Sequence, residues 1–430
     1  MASQRNPLWA DAGQPSPAPG SLPDSGRAFG VVSTPVELVD FMVGLAKPTG
    51  EGPLKVLEPA CGESPFLRAF AARYGTGHSL TGVDIDPEAV ERSRTLLPGT
   101  RFVASDYLLW QPEERFDLIL GNPPYGIIGD GSHYPIHLLK ERKGLYRQRF
   151  ATWRGKFNIY GAFIEHSVRL LGPQGRLIFV VPATWLVLDD FAVLRRFLAE
   201  SGRVEVHYWG KAFPGRNVSV VVLFLEKGGK GLALCEGGEA IVRKPDYEGD
   251  LIRFETAESQ AFEESGVPLG QCFVIHFAAR SPEFRRHPLV QRSPGPGLVP
   301  VLTGRNLHRG WIDYETCYSG LWMPHESAPE LRPFYGYPHI VVAHTKGPRV
   351  VAALDARCYP WREEFHLVPQ AGMRDLQAVV DYLNSEPVQR HTLGLYREFV
   401  PHLTATMLRR IPIPRTLVSE KAPEQLSLWR

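Results

Sequence analysis

Strand-like and helix-like segments alternate along residues 31–226, and this alternation limits the chain to a small group of folds. Short apolar runs such as 54–61 are separated by segments with helical periodicity such as 87–96. Repeated strand–helix units form open sheets of parallel strands that helices cover on both faces. The last two strands, 204–209 and 219–226, are joined by a short loop without a helix. We therefore predict a doubly wound α/β sheet with an antiparallel edge strand.

The composition places the chain among ordinary globular proteins, with 43% hydrophobic residues, 22% charged residues and a net charge of +2. No run approaches the roughly 18 apolar residues of a membrane span, and the N-terminus lacks the pattern of a secretion signal. The five cysteines are scattered and form no CxxC pair, which argues against a disulfide scaffold and a thiolate zinc site. We expect a cytoplasmic protein that uses no metal and binds no membrane.

Composition also divides the chain into segments. Residues 1–28 are rich in Pro, Gly and Ser and predict a disordered lead-in. Five glycines crowd the stretch where strand–helix alternation stops, and irregular β-like runs with many Pro and Gly residues follow. The predicted organisation is a lead-in at 1–28, an α/β domain at 29–244, a mixed α+β domain at 245–415 and a tail at 416–430.

The motif Asn122-Pro123-Pro124-Tyr125 stands directly after the apolar run 116–121. Ligands of open α/β sheets bind at the carboxyl ends of the strands, and two prolines remove two N–H donors while leaving their carbonyls as acceptors. The Asn122 side-chain oxygen and the Pro123 carbonyl can accept both hydrogens of one amino group, and Tyr125 offers a flat face to a base. The motif predicts a site that orients an –NH₂ group toward an electrophile.

Three acidic residues, Glu58, Asp84 and Asp106, follow or end three other predicted strands. An acid after the second strand of such a sheet typically binds ribose hydroxyls, and Asp106 is placed to accept from an adenine amino group. The loop at 58–62 has neither a glycine-rich dinucleotide motif nor a lysine for phosphates. Acids without a basic clamp favour an adenosine ligand that carries no phosphates, and S-adenosyl-L-methionine fits this description.

Two loops add candidate residues to this site. Phe213, between the last two predicted strands of the α/β domain, offers a second aromatic wall opposite Tyr125. The long loop 126–157 follows the Asn-Pro-Pro-Tyr motif and holds seven basic residues against two acidic ones, a balance that favours contact with nucleic-acid phosphates. The basic residues are Lys140, Arg142, Lys143, Arg147, Arg149, Arg154 and Lys156.

In identity and order, these residues resemble the DNA adenine-N6 methyltransferases of the TaqI family, and the resemblance spans residues 30–414. Segments of the C-terminal half resemble the specificity domain of that family and are more specific than the catalytic motif. They are the runs 299–307, 322–324, 344–347, 359–365 and 399–404. The resemblance implies a Rossmann-like methyltransferase domain that uses S-adenosyl-L-methionine, followed by a mixed α+β domain that recognises DNA.

The resemblance also implies roles for individual residues. Residues expected to bind the cofactor are Thr34, Glu58, Ala60, Asp84, Ile85, Asp106 and Tyr107. Residues expected to hold the target adenine are Asn122, Pro123 and Tyr125, with Tyr125 and Phe213 on its two faces and Phe163 nearby. Residues expected to contact DNA are Lys140, Arg147, Arg216, Arg280, Arg305, Lys346 and Pro401, the last as an apolar wedge. Asp84 and Tyr107 stand where close relatives often carry Glu and Phe.

The expected reaction is methyl transfer from S-adenosyl-L-methionine to N6 of a flipped-out adenine in duplex DNA, and the resemblance implies 5′-TCGA-3′ as the target. We expect a monomer that modifies the two strands in turn, and a separate restriction endonuclease of the same specificity. Two alternatives stay open. One is methylation of RNA or of a protein glutamine by the same Asn-Pro-Pro-Tyr chemistry, and the other is a DNA-specificity subunit without catalytic activity.

Overall fold

The computed structural model describes residues 33–48, 52–128, 136–155, 158–213, 216–344, 346–347, 349–370, 375–400 and 402–418. The chain divides into two compact units, Met1–Arg253 and Phe254–Arg430. The predicted lead-in at 1–28, most of the tail and Pro401 lie outside the described residues. The domain limits drawn from composition stay a proposal. In the described part of the chain, none of the helices is long and apolar enough to cross a membrane.

The first unit alternates strands with helices. Its helices are α1 (Val36–Leu45), α2 (Pro65–Tyr74), α3 (Pro87–Leu96), α4 (Lys143–Arg149), α5 (Ile159–Leu170) and α6 (Ala192–Ser201). Its strands are β1 (Lys55–Pro59), β2 (Ser79–Asp84), β3 (Arg101–Ala104), β4 (Phe116–Gly121), β5 (Leu171–Pro182), β6 (Gly202–Gly210), β7 (Val220–Lys227), β8 (Leu232–Glu236) and β9 (Glu239–Lys244). A 3₁₀ helix, Ile136–Arg142, precedes α4.

These strands form one nine-stranded sheet in the order β3-β2-β1-β4-β5-β7-β6-β8-β9. The first five strands of this order pair in parallel, so their carboxyl ends meet at one edge of the sheet. Strand β7 is antiparallel to both β5 and β6. The predicted α/β fold with an antiparallel strand is therefore confirmed.

The sheet extends two strands further than we predicted. The hairpin β8–β9 adds to β6, so that β7 lies inside the sheet and β9 forms an antiparallel edge. We did not predict this hairpin, because the glycines that form its turn made the segment resemble a boundary between domains. Gly237 and Gly238 both have positive φ angles, of 59° and 88°, a conformation that side chains with a Cβ rarely adopt.

Local sequence explains where the helices beside the site begin. Helices α2 and α3 each start with a proline, whose fixed φ and missing N–H suit the first turn. Asp86 caps α3 by accepting from the N–H of Glu88 at 3.0 Å. Helix α1 buries one apolar face, including Leu38 and Met42, in a core cluster that also contains Phe213. The predicted aromatic wall is thus part of the core of the first unit.

The second unit combines small sheets with short helices. Its strands are β10 (Gly266–Pro268), β11 (Phe273–Phe277), β12 (Leu298–Pro300), β13 (Leu307–His308), β14 (Trp311–Ile312), β15 (Trp322–Pro324), β16 (His339–Val342), β17 (Ala352–Asp355), β18 (Phe365–Pro369) and β19 (Pro412–Pro414). Its helices are α7 (Ala257–Glu264), α8 (Leu269–Cys272), α9 (Ser281–Arg286), α10 (Ala328–Leu331), α11 (Leu376–Leu383), α12 (Glu386–Tyr396) and α13 (Ala405–Arg409). The largest of its sheets has the antiparallel order β11-β18-β16-β17.

A fully buried carboxylate, Asp355, organises the loop that follows β17. Its Oδ1 accepts from the Tyr314 hydroxyl at 2.9 Å and from the backbone N–H of Cys358 at 2.8 Å, and its Oδ2 accepts from Nε1 of Trp361 at 2.8 Å. Trp361 itself is fully buried. The carboxylate therefore fixes the large indole in the core of the second unit.

We expect Asp355→Ala to lower the free energy of unfolding by on the order of 3–5 kcal/mol, because the buried Trp361 Nε1 and two half-buried donors lose their acceptor. Urea unfolding curves measure this change. The control is Asp381→Ala, which removes an exposed carboxylate from α11 and should change stability by less than about 0.5 kcal/mol. Equal effects of the two substitutions would contradict this account of Asp355.

Candidate active site

The predicted ligand-binding residues lie at the carboxyl ends of four strands that are neighbours in the sheet, β3, β2, β1 and β4. Glu58 lies in β1 and Asp84 ends β2, while Asp106 and Asn122 follow β3 and β4. Parallel pairing brings these ends together although the residues are far apart in the chain. The structure thus gathers the three predicted acids and the Asn-Pro-Pro-Tyr motif at one edge.

The buried carboxylate of Glu58, in β1, binds the start of α2, the helix that follows the loop after β1. Its two oxygens accept from the backbone N–H groups of Phe66 at 3.4 Å and Leu67 at 2.8 Å, at the start of α2. Burial raises the pKa of Glu58 to about 8, although both backbone bonds act in the opposite direction. Ala60 and Gly62, in the loop above, have positive φ angles of 50° and 53°. The predicted contact of Glu58 with the methionine end of the cofactor stays a prediction.

Asp84 ties the loop after β1 to the loop after β2. Its Oδ2 accepts from the N–H of Gly62 at 2.8 Å, and its Oδ1 accepts from the N–H of Asp86 at 2.9 Å. Burial raises the pKa of Asp84. The backbone N–H of Ile85 also bonds to this carboxylate, so about one of its four acceptor positions remains for a further donor. Ile85, half-buried, follows in the same turn.

Asp106 binds the segment that follows the Asn-Pro-Pro-Tyr motif. Its Oδ2 accepts from Nη1 of Arg142 at 2.7 Å and from the Tyr146 hydroxyl at 2.6 Å, and its Oδ1 accepts from the N–H of Leu108 at 3.1 Å. Three of about four acceptor positions are therefore used, which leaves room for one donor. No local sequence pattern connects Arg142 and Tyr146 to Asp106, since both lie more than 30 residues from it.

Tyr107 and Phe163 pack against each other, with ring centroids 5.1 Å apart. The Tyr107 hydroxyl lies 2.8 Å from Oγ of Ser167, and burial raises the pKa of this phenol. Both aromatic side chains are buried. The structure thus places Phe163 beside a residue expected to bind the cofactor, and a Tyr107 contact with the cofactor stays a prediction.

The donors and acceptors at this edge fit the adenosine part of S-adenosyl-L-methionine. Asp84 retains an acceptor position for a ribose hydroxyl, and Asp106 retains one for an adenine amino hydrogen. The loop at 58–62 contains no basic side chain that would demand a phosphate. Among the described residues, no group of three or more His, Cys, Asp or Glu side chains is arranged to hold a metal ion.

Asn122 is fixed by Thr34, which is nearly buried just before α1. The Asn122 Nδ2 donates to Thr34 Oγ1 at 3.1 Å, although the two residues are 88 positions apart. This bond uses the donor end of the amide and turns its oxygen away from Thr34. The Tyr125 hydroxyl donates to the carbonyl of Val180 in β5 at 2.9 Å, and burial raises the pKa of this phenol well above its usual range. Both ends of the motif are therefore held in place.

Tyr125 and Phe213 meet edge to face. Their ring centroids are 6.3 Å apart and the ring planes make an angle of 71°. A base stacked between two rings needs parallel planes separated by roughly 7 Å, twice a van der Waals contact. The structure therefore brings together the two residues predicted to face the target base, and a sandwich requires one ring to turn.

Asn158, directly before α5, closes the loop 126–157 beside the Asn-Pro-Pro-Tyr motif. Its Oδ1 accepts from the N–H of Gly126 at 2.7 Å, and the N–H of Ile159 donates to the Gly126 carbonyl at 2.8 Å. Asn158 was not among the predicted site residues, since an Asn before a helix is typical of a helix cap. The feature that could have indicated this role is the position of Asn158, a polar residue that directly follows a long loop.

The predicted DNA-contacting cations lie at exposed positions. In the first unit they are Lys140, Arg147 and Arg216, and in the second unit Arg280, Arg305 and Lys346. Two other basic residues of loop 126–157 serve the fold instead: Arg142 binds Asp106, and the Lys143 Nζ donates to the Ile128 carbonyl at 2.8 Å. Pro401 lies outside the described residues. DNA contact by the exposed cations stays a prediction.

We expect Glu58→Gln to raise the free energy of unfolding more at pH 8 than at pH 5. Because the folded-state pKa of Glu58 is raised, wild type carries a proton-linked stabilisation at pH 5 that is lost as the pH rises toward 8. Glutamine keeps an acceptor oxygen without this titration. Thermal unfolding at both pH values, with Glu91→Gln on an exposed carboxyl as control, should show a difference on the order of a few kcal/mol. An identical effect at both pH values would argue against the buried carboxyl.

Comparisons with known proteins agree with this geometry. The profile of the TaqI-like C-terminal specificity domain matches residues 299–413, that of the Eco57I restriction-modification methylase matches residues 100–211, and that of a methyltransferase domain matches residues 56–129. A nuclease-deletion mutant of the type ISP restriction-modification enzyme LlaGI, solved with a DNA substrate mimic, shares the fold at a TM-score of 0.50 and 12% identity, over 79% of this chain and 48% of that one.

Similarity to curated proteins is stronger. The type II methyltransferase M.TthHB8I of Thermus thermophilus is 59% identical over 410 residues, which cover 92% of this chain and 94% of the relative. The type II methyltransferase M.BstVI of Geobacillus stearothermophilus is 27% identical over 222 residues, 42% of this chain and 38% of that relative. The chain therefore belongs to the type II DNA methyltransferases of restriction-modification systems, with S-adenosyl-L-methionine as its cofactor and a TaqI-like C-terminal specificity domain.

Proposed function

We propose that this methyltransferase transfers the methyl group to N6 of an adenine that it flips out of duplex DNA, at the site 5′-TCGA-3′. The target sequence is proposed from the resemblance of the C-terminal segments to the TaqI family. The observation that carries the choice of an amino nitrogen is the hydrogen bond from Asn122 Nδ2 to Thr34 Oγ1. It leaves Asn122 Oδ1 as an acceptor at the carboxyl end of β4.

The chain's own residues orient the amino group. When bound, S-adenosyl-L-methionine supplies an electrophilic methyl group. Asn122 Oδ1 and the Pro123 carbonyl accept the two N–H bonds of the target amine, which leaves the nitrogen lone pair directed out of the plane of these bonds. Both oxygens are negative ends of fixed dipoles, so they also stabilise the positive charge that develops on the nitrogen. Holding the amine at the methyl group supplies most of the acceleration through proximity and orientation.

The flipped base stacks on Tyr125, whose ring is fixed by the hydrogen bond to β5. Flipping costs a few kcal/mol of lost stacking and pairing, and stacking on an aromatic side chain recovers roughly 1–3 kcal/mol. Phe213 turns from its edge-to-face contact to cover the second face of the base. Pro401 fills the space that the base leaves in the duplex.

The exposed cations bind the duplex from both units of the chain. Lys140, Arg147 and Arg216 neutralise phosphates near the motif, and the specificity domain reads the target with Arg280, Arg305 and Lys346. The protein acts as a cytoplasmic monomer, methylating each strand of the palindrome in turn, beside a separate restriction endonuclease that cuts the same unmodified site.

Methyl transfer from labelled S-adenosyl-L-methionine tests this function. The substrates are three short duplexes: one contains TCGA, one a scrambled site, and one TCGA whose adenines already carry N6-methyl groups. We expect label in the first duplex alone, recovered as N6-methyladenine after digestion. Label in N4-methylcytosine would overturn the adenine assignment, and label in the scrambled duplex would overturn the target. Absence of label from all three duplexes would overturn the function itself.

Asn122→Ala should reduce kcat for the TCGA duplex by about 100- to 1000-fold, because the amine loses a positioned acceptor. Affinity for S-adenosyl-L-methionine, measured by calorimetry, should stay within twofold of wild type, since the proposed adenosine contacts lie on β2 and β3. Single-turnover methylation separates the chemical step from binding. A loss confined to cofactor affinity would show that Asn122 acts on the cofactor and not on the target amine.

The double variant Lys140→Ala, Arg147→Ala should bind DNA more weakly, and its affinity should depend less on salt concentration. The slope of log K against log salt concentration should fall by about 2, one for each lost phosphate contact. The matched control is Lys55→Ala, Arg101→Ala. These residues begin β1 and β3, at the amino ends of the parallel strands, and both pair with Glu114. Fluorescence anisotropy of a labelled duplex gives both slopes, and an equal change in both double variants would refute the assignment.

A further inference from the structure

One buried carboxylate in the second unit, that of Glu364, connects several of its loops. Glu364 stands directly before β18 and is 2% exposed. Its Oε2 accepts from the backbone N–H of His344, and the carboxyl also accepts from the backbone N–H of Gly304. The main-chain carbonyl of Glu364 accepts from the N–H of Ala278 at 2.8 Å. A single residue thus holds three loops that are distant in the chain.

Each of these loops carries an exposed cation close to the bonded group. Arg305 follows Gly304 directly, and Lys346 and Arg280 each lie two residues beyond the bonded N–H group of their loop. The chain beside Glu364 adds support through two parallel bridges, which join Leu302 to Trp361 and Ala279 to Arg362. The three cations therefore share one support, residues 361–364.

Gly304 packs closely against this carboxylate. A Cβ built on Gly304 would overlap Oε1 of Glu364. The same loop is stiffened by buried Asn306, whose Oδ1 accepts from the N–H of Thr303 at 2.9 Å and whose amide donates to two carbonyls of the following loop. The backbone that carries Arg305 is consequently fixed on both sides of the arginine.

Burying the Glu364 carboxyl costs free energy, which its hydrogen bonds must offset. Burial raises the pKa of Glu364 to about 8, although the N–H groups of His344 and Gly304 and the charge of Lys346 act in the opposite direction. Apolar side chains of similar volume often stabilise such buried positions more than a charged group does. A carboxyl at this position supplies two oxygens to the two loops that it contacts.

We infer that Glu364 is a positioning residue for target recognition, which fixes the spacing of Arg280, Arg305 and Lys346 against duplex DNA. The inference rests on the proposed function, in which these cations contact the target. An arginine that reads guanine needs two hydrogen bonds in a set geometry, whereas attraction to phosphates tolerates displacement. Loss of Glu364 therefore affects discrimination between sites more than affinity for DNA in general.

The test uses the full-length protein and the variants Glu364→Gln, Gly304→Ala and their combination. Glu326→Gln is the matched control, because it makes the same change at an exposed carboxyl of the same unit. Each protein methylates a pool of duplexes that contains every four-base site, and direct sequencing of modified bases gives the preference at each target position. Calorimetry with S-adenosyl-L-methionine and thermal unfolding are run on the same preparations.

Glutamine replaces one carboxyl oxygen with an –NH₂ group, which cannot accept from a backbone N–H, so either the Gly304 or the His344 loop is released. In Glu364→Gln, the preference for the target over sites with one changed base should fall at least tenfold. Its kcat on the target at saturating DNA and its cofactor affinity should stay within twofold of wild type. Gly304→Ala should cause a similar loss, and the combination should lose no more than the larger single loss, since both changes break one contact. Glu326→Gln should keep the wild-type preference.

An unchanged preference in Glu364→Gln would overturn the inference, and so would single losses that multiply in the combination. Should Gly304→Ala fail to fold, Glu364→Gln compared with Glu326→Gln decides the question alone. A wild-type preference for a site other than TCGA would contradict the proposed target, and the Glu364 variants would then be judged at that site. A wild type without any site preference would overturn both the target and the role of Glu364.

Discussion

Parallel pairing of β3, β2, β1 and β4 is the constraint on which the candidate site depends. Because the four strands run in one direction, the loops that follow them open at one edge of the sheet. The edge holds two kinds of group. A buried carboxylate with an unused acceptor position lies on β2, a half-buried one follows β3, and an amide oxygen lies after β4. The proposed adenosine site and the proposed amine site are neighbours for this reason, which is the arrangement that methyl transfer between them requires.

The sequence could predict which strand each of these residues follows, because apolar runs and helical periodicity are local patterns. It could not predict what each acid binds, because the donors come from distant parts of the chain. Gly62 lies 22 positions from Asp84, and Arg142 and Tyr146 lie 36 and 40 positions from Asp106. The three acids look alike in the sequence, yet Glu58 holds a helix, Asp84 joins two loops and Asp106 binds a third segment.

Charge counting in loop 126–157 shows the same limit. All seven basic residues were equivalent in the sequence, whereas the structure uses Arg142 and Lys143 to hold the loop and leaves Lys140 and Arg147 exposed. The hairpin β8–β9 was hidden by its own turn glycines. In the second unit, periodicity was too short to define the sheet, and its buried anchors Asp355 and Glu364 contact loops that no local pattern connects.

A crystal structure with S-adenosyl-L-homocysteine and a TCGA duplex would test the central claim most directly. We predict an adenine outside the duplex, with its N6 within about 3.2 Å of Asn122 Oδ1 and of the Pro123 carbonyl. We also predict a ribose hydroxyl within the same distance of the Asp84 carboxylate. An adenine still stacked in the duplex, or a ribose bound away from Asp84, would contradict it.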